Sequence, residues 1–125
     1  MVKHCAGVII RKGNEILLHK RNYEPRSGTY DIVGGFMEEG ETQEECAIRE
    51  TKEETGYDIK LTGKIVDFAT DDNGLERLHI FSGEIISGEM ESSIEGEPVW
   101  VDIDKLSEEI LSFPHTNEII KIFLN

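Results

Sequence analysis

The segment from Thr42 to Gly56 constrains the fold more than any other stretch, because it carries both a helix start and a helix stop. Thr42 can cap a helix through its side-chain oxygen, and Glu45, three residues later, completes a capping box. Gly56 can end the same helix in the left-handed conformation that favours glycine. The segment therefore predicts a helix near the middle of the chain.

Three glutamates of this predicted helix are spaced so that their side chains converge. Glu50, Glu53 and Glu54 stand at positions i, i+3 and i+4, which places them on one stripe. The face expected to pack against a sheet carries Ala47, Ile48, Thr51 and Thr55, and the remaining side carries Arg49 and Lys52. Like charges on one stripe repel, and burial raises that cost unless a cation neutralises them. The stripe is either a solvated acidic surface or a binding site for Mg²⁺, a hard ion that prefers oxygen ligands.

The residues around the stripe favour the metal site. Gly34 and Gly35 come just before the helix, and glycine lets a backbone carbonyl approach an ion or ligand closely. Arg49 is adjacent to Glu50 and can hold that carboxylate ionised through a charge-assisted hydrogen bond. The glycines, the arginine and the glutamates therefore form one candidate site.

Strands are predicted on both sides of the helix. Lys12–Glu15 is a hairpin turn signal between two apolar runs, and the last segment has apolar residues at helical spacing. The segments with strand character are 5–21, 30–33, 58–70, 77–86 and 98–103, and a second helix is expected over 115–124. This order predicts an α+β or α/β class with helices packed on a mixed sheet.

The charge balance limits the partners. The chain has 125 residues, the usual size of one domain, with 13 basic and 26 acidic residues and a net charge of -13. Such a surface repels nucleic-acid polymers and anionic membranes, although divalent cations can bridge a small polyphosphate to carboxylates. No long apolar run and no secretory signal layout is found, which predicts a cytoplasmic protein.

The cysteines and histidines give little support for a transition-metal or redox site. Cys5 and Cys46 lack CxxC spacing, so we expect two buried or half-buried thiols. No recognised ligand pair is formed in sequence by the histidines, which are His4, His19, His79 and His115.

The acidic segment Asp71–Gly74 is predicted to be a hairpin turn rather than a calcium loop. An EF-hand loop needs an acidic first position and a glutamate at its last position. Ala69 and Ile80 would occupy those two positions here.

The glycines and glutamates together resemble the signature of the Nudix family, G-x5-E-x7-R-E-U-x-E-E-x-G-U, where U is a bulky aliphatic residue. All of the polar and glycine positions match, namely Gly35, Glu41, Arg49, Glu50, Glu53, Glu54 and Gly56. Thr51 and Tyr57 depart from the pattern at the two U positions, which serve packing. The resemblance implies one Nudix domain over 1–125, with an α/β/α sandwich in which helices flank a central mixed β-sheet.

The resemblance also implies a chemistry. Nudix enzymes hydrolyse a nucleoside diphosphate linked to another group and use Mg²⁺ or Mn²⁺. Carried over to this chain, Glu50, Glu53 and Glu54 bind metal with the Gly35 carbonyl, and Arg49 orients Glu50. Glu41 braces the loop before the helix.

The general base is expected to be a carboxylate that takes the proton of the attacking water. Glu50 is the predicted base, and a downstream acid, Glu95 or Glu97, is the rival, because some family members use or add a carboxylate there. Glu97 is also a candidate metal ligand.

Substrate choice lies outside the signature. The chain lacks the downstream proline and tyrosine of the subgroups that act on ADP-ribose and on dinucleoside polyphosphates, which favours a MutT-like subgroup. The segment 113–123 resembles the MutT stretch that sets an asparagine against an oxidised guanine. Asn117 would be that asparagine, Phe113 would line the base pocket, and Arg21 would contact phosphates.

Each of these three residues has a simpler interpretation. Asparagine is favoured near a helix start, Phe113 can be a core residue, and Arg21 can be a surface cation at a strand end.

The predicted function is a Mg²⁺-dependent MutT-like pyrophosphohydrolase of nucleoside triphosphates, with 8-oxo-dGTP as a candidate substrate. The alternatives are a Nudix hydrolase of ADP-ribose or a nucleotide sugar, and a domain that senses a nucleotide without catalysis. The expected partner is a small nucleotide, and the chain is expected to be a monomer or a homodimer.

Overall fold

The computed structural model describes residues 2–70 and 73–125, so Asp71 and Asp72 of the predicted turn lie outside the described residues. The elements, in chain order, are β1 Lys3–Ile9, β2 Arg11–Lys12, β3 Glu15–Arg21, β4 Tyr30–Asp31, β5 Val33–Phe36, α1 Gln43–Thr55, β6 Tyr57–Ala69, β7 Glu76–Gly88, β8 Gly96–Asp102, a 3-10 turn Ile103–Lys105 and α2 Pro114–Leu124.

The strands form a mixed sheet and a smaller antiparallel sheet. The mixed sheet has the order β5-β1-β7-β6, with β1 parallel to β7 and the other neighbours antiparallel. The smaller sheet has the order β2-β3-β4, and β8 also pairs with β3. The predicted class, a mixed sheet with helices packed on it, is confirmed.

The single short strand predicted over 30–33 is wrong in detail. Residues Tyr30–Asp31 pair with β3 in the smaller sheet, whereas Val33–Phe36 pair with β1 in the mixed sheet. At the crossing, the backbone N–H of Ile32 donates to the side chain of Asp31 at 2.8 Å instead of to a neighbouring strand. This crossing carries Gly34 and Gly35 from one sheet to the other.

Helix α1 begins and ends where the sequence predicts. The Thr42 hydroxyl accepts from the Glu45 N–H at 3.0 Å, and the Thr42 N–H donates to the Glu45 carboxylate at 2.9 Å. Gly56 ends the helix with φ +83°. A side chain on Gly56 would also lie 2.1 Å from the Glu89 carbonyl oxygen, so the position has no room for one.

The buried face of α1 differs from the prediction at one edge. Ala47, Thr51 and Thr55 are fully buried as expected, and each threonine hydroxyl donates to the carbonyl one turn earlier. Ile48 is 39% exposed, so its predicted packing against the sheet is wrong. Glu54 is buried instead, because it lies one turn beyond Thr51 on the same stripe.

The main core lies beneath α2 and between the sheets. Its buried members are Ile9, Ile16, Leu18, Ile80, Val101, Leu111, Ile119 and Ile120. Both thiols are free, with Cys46 buried and Cys5 half-buried, as predicted. Among the described helices, none is long and apolar enough to cross a membrane.

Candidate active site

A cavity of about 720 Å³ opens where α1, the β4–β5 crossing and the start of α2 meet. Its acidic lining residues are Asp31, Glu38, Glu50, Glu54, Glu76 and Glu95. Its arginines are Arg21 and Arg49, and both of them contact carboxylates. A phosphorylated ligand therefore needs additional positive charge to enter this cavity.

Arg49 fastens the acidic flank of α1 to the loop before it. Its Nε lies 2.7 Å from Glu41 Oε2, and its Nη2 lies 3.0 Å from Glu41 Oε1. Its Nη1 donates to Glu50 Oε1 at 2.8 Å and lies 3.2 Å from Glu53 Oε2. The hydrogen bonds from Arg49, together with one from the Glu38 N–H, lower the pKa of Glu41 to about 2. The pKa of Arg49 is raised, first by its bond to Glu41, so this cation is permanent.

Glu54 is the most buried carboxyl group of the cavity, at 5% exposure. The backbone N–H of Gly34 donates to its Oε1 at 2.7 Å, and His19 Nδ1 lies 3.3 Å from its Oε2. Burial raises the pKa of Glu54 to about 9, and the nearby Glu50 and Glu95 act in the same direction. The same burial lowers the pKa of His19. In the part of the chain that the structure describes, this buried carboxyl group therefore has no permanently charged positive partner.

Gly35 and Glu50 are packed against each other. A Cβ atom on Gly35 would lie 2.4 Å from the Glu50 carboxyl carbon, so a side chain there would displace this carboxylate. Burial raises the pKa of Glu50, and the hydrogen bond from Arg49 opposes that rise. The glycine thus lets a half-buried carboxylate lie directly against the backbone of β5.

Glu53 lies at the rim rather than in the cavity, because its side chain is 57% exposed. The Arg49 guanidinium contacts both Glu50 and Glu53 and so bridges them. Within residues 2–70 and 73–125, no group of three or more His, Cys, Asp and Glu side chains is arranged to hold a metal ion. Of the acidic stripe, Glu50 and Glu54 line the cavity.

Aromatic rings form one wall of the cavity. The Phe113 and His115 rings are stacked, with centroids 5.1 Å apart and planes 8° apart. The Arg21 guanidinium lies 4.1 Å from the centroid of Tyr23 and 5.2 Å from that of Phe113. Arg21 is 8% exposed, and its Nη1 lies 3.6 Å from Asp31. Its interpretation as a surface cation is therefore wrong.

The family model named NUDIX domain matches residues 2–123, nearly the whole chain. The chain belongs to the NUDIX family. Its members are hydrolases that act on pyrophosphate bonds, and the signature residues on α1 are those just described. The resemblance stated from the sequence is confirmed at the level of the family and of the fold.

Two relatives of this NUDIX chain carry the names of hydrolases. It is 36% identical over 121 residues to a protein named ADP-ribose pyrophosphatase from Methanocaldococcus jannaschii, a match that covers 93% of this chain and 69% of the relative. It is 53% identical over 60 residues to a protein named NAD-capped RNA hydrolase NudC from Haemophilus influenzae. That match covers 45% of this chain and 23% of the relative, so the chain spans under a quarter of that protein.

Three solved structures share the fold at low sequence identity. A NUDIX hydrolase from Nitrosomonas europaea matches with a TM-score of 0.86 at 23% identity, over 96% of this chain and 68% of that one. A MutT NUDIX hydrolase from Burkholderia pseudomallei matches with a TM-score of 0.79 at 23% identity, over 97% of each chain. The third is a bifunctional NMN adenylyltransferase/ADP ribose pyrophosphatase from Francisella tularensis, complexed with AMP and a Mn ion. It matches with a TM-score of 0.77 at 22% identity, over 99% of this chain and 41% of that one.

The cavity chemistry of the NUDIX chain fits a divalent cation, which hydrolases of this family generally use. Carboxylate and carbonyl oxygens are the ligands that Mg²⁺ and Mn²⁺ prefer. Burial is the main cause of the raised pKa of the Glu50 and Glu54 carboxyl groups. A cation bound there would favour the ionised form of both groups.

The two downstream acids line different pockets. Glu95, just before β8, lines the large cavity, whereas Glu97 lines a small pocket of about 230 Å³ beside Lys20. Simple alternation would put both acids on the same side of a strand, but Gly96 between them has φ +154°, which departs from regular strand geometry. Glu95 is therefore the downstream acid that lines the large cavity, whereas Glu97 does not line it.

The predicted base-reading residue lies outside the cavity. Asn117 follows the start of α2 by one turn, and its side chain donates to Glu108 at 3.3 Å. Phe113 and His115 of the same segment do line the cavity. Successive residues of a helix point in different directions, so Asn117 does not share the cavity-lining position of Phe113 and His115.

Sequence patterns missed the histidine contacts. His19 meets Glu54, and separately His4 Nδ1 lies 2.8 Å from His79 Nε2 in the mixed sheet. Both contacts join residues that are far apart in the chain, so no spacing rule reports them. The alternation of β3 is the one available signal, since it places His19 and Arg21 on the same face.

Proposed function

We propose that this chain is a divalent-cation-dependent hydrolase that cleaves the diphosphate bridge of ADP-ribose or a close relative. The observation that carries the proposal is the 36% identity, over 93% of the chain, to a protein named ADP-ribose pyrophosphatase. The cavity supports it independently, because carboxylates suited to a cation and stacked aromatic rings line the same space.

The cation would be held by Glu50 and Glu54, with the Gly35 carbonyl and Glu53 completing the set. Mg²⁺ is the proposed ion, and Mn²⁺ is the expected substitute. Such an ion neutralises charge on the phosphate oxygens and makes a water molecule more acidic. Glu53 would reach this set by a rotamer change that releases its contact with Arg49, since its side chain is exposed.

Glu50 is the proposed general base. It takes a proton from the water that attacks one phosphorus atom, the bridging P–O bond breaks, and the bridging oxygen leaves on the second phosphate. Arg49 orients Glu50 through the 2.8 Å bond to Oε1, which leaves Oε2 free to accept that proton. Glu95 is the alternative base, because it lines the same cavity.

The aromatic wall is the proposed nucleoside end of the site. A base can stack against the Phe113 and His115 ring pair, which lines the cavity beside the Arg21 guanidinium. Stacking of this kind accepts any purine, so it supports an adenine nucleotide without reading its edge.

Hydrolysis of nucleoside triphosphates, including 8-oxo-dGTP, stays a prediction from the sequence with less support. Asn117 was the residue expected to contact the oxidised guanine base, and its side chain donates a hydrogen bond to Glu108 outside the cavity. The similarity to a solved MutT NUDIX hydrolase, at 23% identity, supports the fold but not the substrate.

A substrate panel tests the proposal. The protein is incubated with Mg²⁺ and, separately, ADP-ribose, a nucleotide sugar, dGTP and 8-oxo-dGTP, and products are separated by anion-exchange chromatography. The expected result is AMP and ribose 5-phosphate from ADP-ribose, with Glu54→Gln as the inactive control. Pyrophosphate release from a triphosphate alone would restore the MutT-like interpretation. Tight binding of one compound without turnover would indicate a sensor.

A further inference from the structure

His19 lies at the floor of the cavity, where β3 meets the second half of α1. It is 3% exposed, and its Nδ1 lies 3.3 Å from Glu54 Oε2. The other oxygen of Glu54 accepts from the Gly34 N–H at 2.7 Å. The carboxyl group is thus contacted from two sides, by the backbone of β5 and by the imidazole.

The second ring nitrogen of His19 has a different environment. Within the described residues, Nε2 is buried and has no hydrogen-bond partner. It faces the backbone of Gly96 in β8, where an added Cβ would lie 3.0 Å from Nε2 and 2.0 Å from the Lys20 carbonyl oxygen. Nε2 therefore points into packed backbone, and a substrate does not reach it.

These two environments select the tautomer. When Glu54 is ionised, as a cation ligand is, Oε2 can only accept a hydrogen bond, so the hydrogen of the neutral ring must be on Nδ1. The unpaired Nε2 is then a bare acceptor, and no N–H is left buried without a partner. The opposite tautomer would bury an unpaired N–H and turn a lone pair toward the carboxylate.

We propose that His19 is a positioning residue for the cation site: its Nδ1–H holds Glu54 so that the carboxylate presents its remaining lone pairs to the divalent cation. The inference rests on the proposed role of Glu54 as a cation ligand. Outer hydrogen bonds of this type orient ligands in metal sites, and their loss typically weakens metal binding about 10- to 100-fold.

Substitution by amides separates the two ring nitrogens. In Asn, the amide nitrogen is attached to Cγ, as Nδ1 is in histidine, so His19→Asn retains a donor toward Glu54. In Gln, the amide nitrogen lies one carbon farther out and corresponds to Nε2. His19→Gln is therefore a matched control with the same functional group in the wrong place, and His19→Ala removes the donor altogether.

The test measures binding of Mn²⁺ alone, without substrate, by electron paramagnetic resonance, with thermal unfolding as a check on folding. The expected result is that His19→Asn binds Mn²⁺ within about threefold of the wild type, while His19→Gln and His19→Ala bind it about 10- to 100-fold more weakly. Equal affinities for the Asn and Gln variants, or an unchanged affinity for the Ala variant, would overturn the inference.

A measurement on the wild type keeps the inference testable if the variants unfold. With Mg²⁺ bound, ¹⁵N spectra of His19 should show a protonated Nδ1 and an unprotonated Nε2, and a protonated Nε2 would overturn the inference. Mn²⁺ binding by Glu54→Gln as tight as by the wild type would instead remove Glu54 from the cation site, and the proposed function would fail with it.

Discussion

The guanidinium of Arg49 meets the carboxylate of Glu41 at two points, with Nε 2.7 Å from Oε2 and Nη2 3.0 Å from Oε1. This planar contact leaves Nη1 to hold Glu50 at 2.8 Å. One side chain therefore connects the loop before α1 to the proposed base.

Replacing Arg49 by Lys should lower kcat about 10- to 100-fold while the protein stays folded. Lysine keeps the charge, but its single nitrogen cannot contact Glu41 at two points and hold Glu50 at the same time. Steady-state kinetics with ADP-ribose checks this, with Lys52→Arg on the exposed side of α1 as the control. Full activity of Arg49→Lys would mean that charge alone suffices.

Glu54 should make the stability of the protein depend on pH. Burial raises its pKa from the ordinary value of 4.5 to about 9 in the folded chain, so between these values the folded state binds a proton that the unfolded state releases. The stabilising contribution of the protonated group is fully present below about pH 4.5 and is lost as the pH rises to about 9. In EDTA, the melting temperature of the wild type should therefore fall from pH 6 to pH 8 more than that of Glu54→Gln.

Adding Mg²⁺ should reverse that trend. The cation binds the ionised carboxylate, so it competes with the proton and should raise the melting temperature more at pH 8 than at pH 6. Glu54→Gln should show little gain at either pH. A gain that is equal at both pH values in the wild type would argue against Glu54 as a ligand.

The base assignment predicts a graded response to removal of carboxylates. Glu50→Gln should lower kcat about 10²- to 10⁴-fold, because it removes proton transfer while keeping the size of the side chain. Glu97→Gln should stay near the wild type, since it lies in a separate pocket. If Glu95→Gln lost most activity while Glu50→Gln retained it, the two roles would be exchanged. Single-turnover kinetics separates this effect from substrate binding.

The aromatic wall predicts a loss in KM rather than in kcat. Phe113→Ala should raise KM for ADP-ribose about 5- to 150-fold, from the loss of about 1–3 kcal/mol of base stacking. The matched control is Asn117→Ala on the same helix, which should leave KM nearly unchanged, since Asn117 bonds to Glu108. A larger rise in KM for Asn117→Ala than for Phe113→Ala would instead indicate that Asn117 contacts the base, as the sequence predicted.

Local signals predicted the central helix well. Thr42, Glu45 and Gly56 fixed its ends, because capping depends on residues within one turn of each other. The contact between Arg49 and Glu50 followed in the same way from adjacency. Where a feature depended only on neighbours in the chain, the prediction and the structure agree.

Features that depend on packing between distant segments could not be predicted from the sequence in the same way. Which side of α1 is buried depends on how the helix lies on the mixed sheet, so Ile48, which was expected to pack on the sheet, is exposed, and Glu54 is buried. The contact of His19 with Glu54 depends on how β3 meets α1. The position of Asn117 depends on how α2 packs on the core.

The most direct test of the account is a ³¹P spectrum of the wild-type protein with ADP-ribose and Mg²⁺, recorded before and after addition of EDTA. Carboxylates on α1 that bring a cation to a diphosphate predict that the diphosphate signals are replaced by two monophosphate signals, and that EDTA stops the reaction. Hydrolysis that continues unchanged in excess EDTA would contradict the account.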